Sequence, residues 1–166
     1  MLIILSGLPG TGKTTIAREL ARTLSAMHLR IDTIEHALLT STLSIENAAD
    51  AGYRVAFGLA TDNLKLGHTV IADSVNPIAL TRNAWHFAAT RAGVKSIDVE
   101  IICSDKEQHR KRIETRDNDL TGFKMPDWNA VITRDYEPWT TERVLIDTAT
   151  MTMPTIISML VLQTAE

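Results

Sequence analysis

The sequence predicts an α/β domain, a parallel sheet wrapped by helices, on three observations. Short apolar runs alternate with longer stretches of helical periodicity along the whole chain. A glycine-rich turn, Gly7-Leu8-Pro9-Gly10-Thr11-Gly12, joins the first apolar run to the first helical stretch. At 166 residues, 45% hydrophobic and 22% charged, the chain has the size and composition of one domain with a single sizeable core.

Each element follows from its pattern. Leu2 to Ser6 is an apolar run of strand length, and Gly12 to Met27 carries the helix after it. Leu29 to Asp32 reads as a second short strand, followed by a helix from Thr33 to Leu39 and a polar loop from Thr40 to Ser44. A long helix is expected from Glu46 to Leu66, with Ala48, Ala51, Val55, Leu59 and Leu66 on one stripe and Gly67 at its C-cap. Thr69 to Asp73 is the third strand. Pro77 opens the next helix with Asn76 as its cap, and Gly93 stops it. Ile97 to Cys103 is the fourth strand, and a charged helix covers Asp105 to Arg116. Asp117 to Pro126 lacks an apolar period and is expected to be the loosest segment. A helix to Tyr136, a strand from Arg143 to Asp147 and a closing helix after Pro154 complete the order. No repeat, low-complexity tract or interdomain linker interrupts it.

The glycine-rich turn continues into Lys13, Thr14 and Thr15. Gly7-Leu8-Pro9-Gly10-Thr11-Gly12-Lys13-Thr14 matches the Walker A pattern at every fixed position, between a strand and a helix as that pattern requires. Glycines let the loop curl so that backbone N–H groups face phosphate oxygens, and the helix adds the positive end of its dipole. Lys13 supplies an ammonium to the β- and γ-phosphates of ATP, and the Thr14 hydroxyl is a ligand for Mg²⁺. No Asn-Lys-x-Asp stretch supports GTP.

Three aspartates, Asp32, Asp73 and Asp147, fall at predicted carboxyl ends of strands, the edge where open α/β sheets bind ligands. Asp73 closes Val70-Ile71-Ala72-Asp73 as a Walker B acid does and suits the Mg²⁺ shell; its other reading is the start of the turn toward Asn76-Pro77. Asp32 has two competing readings. One is the carboxylate that orients and deprotonates an acceptor hydroxyl. The other is the cap of a capping box, Asp32-Thr33-Ile34-Glu35. Arg112 and Arg116, one helical turn apart, either neutralise the transferred phosphoryl group or form a solvated helix end. Arg82 either reaches back toward the phosphates or lies on the surface beside Trp85. Tyr53 and Arg54 are candidates for lining an acceptor pocket, and Asp147 is read as structural.

Composition narrows the function classes. With 17 basic and 20 acidic residues the net charge is −3, which does not favour nucleic-acid binding. The five histidines make no metal-ligand spacing. Cys103 is the single cysteine, reads as core, and suits a reducing cytoplasm. The apolar start lacks a basic region before it, and no apolar run approaches the ~20 residues of a membrane span, so neither secretion nor membrane insertion is expected. Trp128 and Trp139 read as packing residues.

The Walker A loop, the acid at Asp32, the Asp73-Ser74-Val75-Asn76 turn with Arg82 downstream, and Arg112 to Arg116 occur in an order that resembles the P-loop kinases grouped as AAA-domain proteins, relatives of zeta toxin and phage polynucleotide kinase. Tyr136-Glu137-Pro138 and Val144-Leu145-Ile146-Asp147 resemble that group's closing segment. The resemblance implies a P-loop NTPase three-layer sandwich with a five-stranded parallel sheet in order 2-3-1-4-5 and a short mobile lid. It implies Asp32 as the base on the acceptor side, Lys13 and Thr14 as phosphate and metal anchors, and Arg112 or Arg116 as lid arginines. Relatives often carry an arginine three residues after the acid, where this chain has Glu35, which argues against an anionic acceptor.

The expected activity is transfer of the γ-phosphoryl group of ATP, with Mg²⁺, to a hydroxyl of a small molecule. The alternatives are a nucleotide or polynucleotide kinase, and an ATP-binding regulatory module or NTPase without phosphotransfer. A motor-type ATPase is disfavoured because Ser74, rather than a glutamate, follows Asp73.

Overall fold

The structure is a computed structural model and describes residues 1–122 and 125–164. Five parallel strands form the sheet: β1 (Leu2–Ser6), β2 (Met27–Arg30), β3 (Val70–Asp73), β4 (Ser96–Ile102) and β5 (Val144–Asp147), in the order β2-β3-β1-β4-β5. This is the order the family resemblance implies. The helices are α1 (Lys13–Leu24), α2 (Ile31–Leu39), α3 (Ala51–Lys65), α4 (Ala79–Ala92), α5 (Lys106–Thr115), α6 (Trp128–Ile132) and α7 (Met153–Gln163). Among the described residues no helix is long and apolar enough to cross a membrane.

β1 is buried along its whole length, and its alternation splits the core between two faces. Leu2 and Ile4 pack with Ala56, Ala60, Leu64 and Trp85 of α3 and α4. Ile3 and Leu5 pack with Ile16 and Leu20 of α1 and with Ile156 and Leu160 of α7. Each fully buried Leu or Ile of this kind contributes about 1.5–3 kcal/mol. The central strand therefore holds the loop that follows it against two helical layers.

Three expectations need correction. α1 stops at Leu24 because Ser25 turns left-handed, and β2 begins two residues earlier than the sequence suggests. Asp32 therefore lies inside the first turn of α2, where it cannot cap that helix; the N-cap is Arg30, and no side chain caps it. The long helix starts at Ala51, and its buried face is not the bulky stripe. Gly52, Ala56, Ala60, Thr61 and Leu64 face inward, whereas Val55, Leu59 and Leu66 are exposed. Small residues win that face because of close approach: a Cβ on Gly52 would stand 2.5 Å from the Glu35 side chain of α2.

Asn76 does not cap α4, whose N-cap is Ile78. Glu137, from the far side of the chain, accepts a hydrogen bond from the Ala79 N–H at 2.6 Å and does that work instead. Asn76 is fully buried with φ +47°, a conformation asparagine tolerates better than most residues. Its amide donates to the Leu5 carbonyl and the Ser6 hydroxyl and accepts from the Trp85 indole. It thus ties the end of β1 to α4. Gly67 and Gly93 end their helices as expected, both with positive φ.

Candidate active site

The turn from β1 to α1 has the shape that an anion cradle requires. Gly7, at φ +139°, has no room for a side chain, because a Cβ there would strike the carbonyl oxygen of Ile101 on β4. Gly10, at φ +80°, lies against Ile113 of α5, which a Cβ would meet at 2.5 Å. The Thr11 hydroxyl donates to the Leu8 carbonyl at 2.9 Å and closes the loop on itself. No side chain caps α1 at Gly12, so its first N–H groups remain available to an external anion. All the residues read as the cradle, Gly7, Leu8, Pro9, Gly10, Thr11, Gly12, Lys13, Thr14 and Thr15, fall in this one strand-loop-helix unit.

Lys13 is buried, and its ammonium donates to the Leu8 carbonyl at 2.8 Å. Burial pushes its pKa down to about 8, against the pull of the Asp73 and Asp32 carboxylates. An anion beside it would relieve the desolvation that causes this. Asp73 is buried at the end of β3 and is hydrogen-bonded to His28 of β2 at 3.0 Å. Ser74, beside it, has a buried hydroxyl without a hydrogen-bond partner.

The cradle opens on a cleft of about 1500 Å³, whose lining includes Thr14, Asp32, Asp73 and Arg116. Asp32 enters it from the first turn of α2, with a carboxyl pKa raised by burial and opposed first by Arg30. Glu35, one turn on, is also raised by burial and by Asp32. Tyr53 lines the cleft and its hydroxyl accepts from the Asn76 N–H, whereas Arg54 is exposed and is not among the residues lining it.

Arg112 and Arg116 part company. Arg116 has left the helix, with extended backbone at the C-cap of α5. Its guanidinium donates to the Pro126 carbonyl at 2.6 Å, and Asp32 is the carboxylate that acts on it. Arg112 remains in α5 and donates to the Thr148 hydroxyl at 2.7 Å, to Gln108 and to the Thr148 carbonyl. The same Thr148 hydroxyl donates to the carbonyl of Thr11. Arg112 therefore braces the cradle from the β5–α7 turn. Asp147 starts that turn: it accepts from the Ser104 and Ala149 N–H groups, and the contact with Ser104 foremost holds its carboxyl below the usual range.

Arg82 takes neither of its expected places. It is buried, stacked on Trp139 at 4.1 Å, and donates to the carbonyls of Asn76, Pro77 and Glu137. It clamps the chain after α6 onto the β3–α4 loop.

Sequence reasoning missed three contributors. Arg30, placed mid-strand by the early expectation, ends β2 and lines the cleft. Arg134 lines it from beyond α6, with no pattern in Thr133-Arg134-Asp135 to announce it. His109 reaches from α5 to the Pro9 carbonyl at 2.8 Å and packs edge-on against Trp128. Of the expected lid, Asp117 to Pro126, the residues Asp117, Asp119, Met125 and Pro126 line the cleft, and Asp119 is bonded to Arg18 and Arg30. Phe123 and Lys124, within that segment, lie outside the described residues.

Similarity to known proteins bears on the fold. No curated protein sequence matches the chain. A candidate kinase from Chloroflexus aurantiacus superposes with a TM-score of 0.76 at 21% identity, covering 99% of this chain and 95% of that one. The Mycobacterium tuberculosis APS kinase CysC, in complex with AMPPNP and APS, gives 0.73 at 18% identity over 99% and 97%. Chaetomium thermophilum Kti12, in complex with ADP-AlF3, gives 0.66 at 22% identity over 96% and 97%. A model of the AAA domain family matches residues 2–129, so the chain belongs to that family and has the fold of its P-loop kinase-like members.

Proposed function

We propose that this protein transfers the γ-phosphoryl group of ATP to a hydroxyl of a small molecule. The observation that carries the reading is one cleft lined both by the phosphate cradle, Lys13 included, and by the Asp32 carboxylate, whose charge acts on Lys13. ATP fits the cradle: its glycines leave no space for side chains, and its helix N-terminus is uncapped. Mg²⁺ fits as well. Thr14 and the buried Asp73 line the same cleft, and Mg²⁺ is usually held by one or two protein oxygens together with phosphate oxygens.

Thr14 and Asp73 would hold the metal, which would supply positive charge to neutralise the phosphate oxygens. Lys13 binds the β- and γ-phosphates as a point charge in a water-poor floor, where charge-assisted contacts are strong. Asp32 orients the acceptor hydroxyl and takes its proton, and its burial-raised pKa makes it a better base. Arg116 stabilises charge on the phosphoryl group in flight. Arg112 acts at one remove, by holding Thr148 against the cradle.

The test is a screen of small hydroxyl compounds for acceptor-stimulated ATP consumption, run in parallel on Lys13→Ala. Stimulation by at least one acceptor, lost in Lys13→Ala, supports the reading. Tight Mg-ATP binding without turnover for any acceptor class would replace it with a nucleotide-binding regulatory module.

A further inference from the structure

One cation in the cleft is incompletely satisfied. Arg30 stands two residues before Asp32, at the end of β2, with its side chain only 10% exposed. Burial of a guanidinium this deep calls for an anion with good geometry. Its Nη1 donates to Asp119 Oδ2 at 2.7 Å. That same oxygen also accepts from Arg18 Nη2 at 2.5 Å, so a single carboxylate oxygen serves two arginines. The nearest approach to Asp32 is 3.7 Å, an ion pair and not a hydrogen bond. Arg30 Nε is buried and has no hydrogen-bond partner. A guanidinium is built to grip two oxygens through a fork, and here one edge of the fork is unused.

The anion that does reach Arg30 comes from the exposed segment after α5. Asp119 is 42% exposed and is held to about pKa 2 by its contact with Arg30, then by Arg18. His36 of α2 also ties the segment, through the Thr121 carbonyl at 2.8 Å. Glu35, the acid that argues against an anion in this cleft, shares the cleft with Arg134, which opposes only in part the raising of the Glu35 carboxyl by burial and by Asp32.

We propose that Arg30 binds an anionic group of the acceptor, and that Asp119 fills this position while the acceptor is absent. The acceptor is then a small hydroxyl compound carrying a phosphate or a carboxylate. Gripped at Arg30, that group sets the hydroxyl beside Asp32, two residues away. Its arrival displaces Asp119 from Arg30, and its departure restores the internal pair. This inference rests on the phosphotransfer reading, because it assigns the acceptor side of the same cleft.

The test uses protein saturated with Mg²⁺ and an unhydrolysable ATP analogue, so that the cradle is full. Inorganic phosphate and acetate are titrated separately at constant ionic strength. Asp119→Asn should bind one or both probes at least tenfold more tightly than wild type. Asp119→Asn combined with Arg30→Gln should lose that gain. Arg30→Lys, which keeps the charge and guards against a folding failure, should lose most of it for want of a fork. A gain for phosphate alone assigns a phosphate-bearing acceptor, and a gain for acetate assigns a carboxylate. No gain in Asp119→Asn, or a gain that survives Arg30→Gln, overturns the inference while leaving the nucleotide site intact. Failure of the analogue to bind wild type would instead overturn the phosphotransfer reading beneath it.

Discussion

The floor of the cleft takes consecutive residues, Gly7 to Thr15, from one strand-to-helix turn, whereas its walls gather side chains from across the chain. Asp32 and Arg30 come from the β2–α2 junction, Tyr53 from α3, Arg116 and Asp119 from after α5, and Arg134 from beyond α6. The floor is braced on every side. Asn76 ties the end of β1, His109 holds Pro9, and Thr148 holds Thr11. The outer wall is joined instead by ion pairs at half-exposed positions, such as Arg18 with Asp119. A site that must hold a triphosphate in one geometry gains from a rigid floor, while a site that must admit and release an acceptor gains from a wall that can part.

The largest effect should come from the floor. Lys13→Ala removes a charge-assisted grip on two phosphates and should weaken Mg-ATP binding at least tenfold by calorimetry. Unchanged affinity and stoichiometry would break the comparison at its stronger end. The braced floor also predicts that this loss appears without a change in the fold, which circular dichroism reads directly.

A smaller effect should come from the wall. Arg116→Ala should slow transfer by about tenfold while leaving nucleotide affinity within a few-fold, since its charge is needed most in the transition state. In the wild-type protein, trypsin cleavage after Arg116 should be slowed by Mg-ATP or its analogue as the segment closes over the triphosphate. Equal cleavage rates with and without saturating nucleotide would make Arg116 an ordinary helix end.

This division also explains what was legible in the sequence. The cradle is local, so Gly7 to Thr15 could be read residue by residue, and the sheet order followed from the resemblance those residues anchor. Asp73 was legible for the same reason, as an acid closing an apolar run. Asp32 was found but misplaced, because Ser25 turns left-handed and shifts β2 by two residues, which removes the capping box. Arg30 was hidden by that same shift. The inward face of α3 was misjudged because bulk suggested burial, while close helix packing selected Gly52, Ala56 and Ala60. Arg82 and Glu137 were illegible in a stronger sense: each acts on a segment more than 50 residues away, and no local pattern encodes that.

The central claim is that Asp32 and the cradle act on one phosphoryl group. The most direct test follows the label from γ-³²P-ATP with an acceptor from the screen, in wild type and in Asp32→Asn. The label should pass to the acceptor in wild type, and the rate should fall about 10²-fold in Asp32→Asn with ATP affinity kept within a few-fold, as expected on losing a general base. Label released only as inorganic phosphate, or transfer to the acceptor at an unchanged rate in Asp32→Asn, would contradict it.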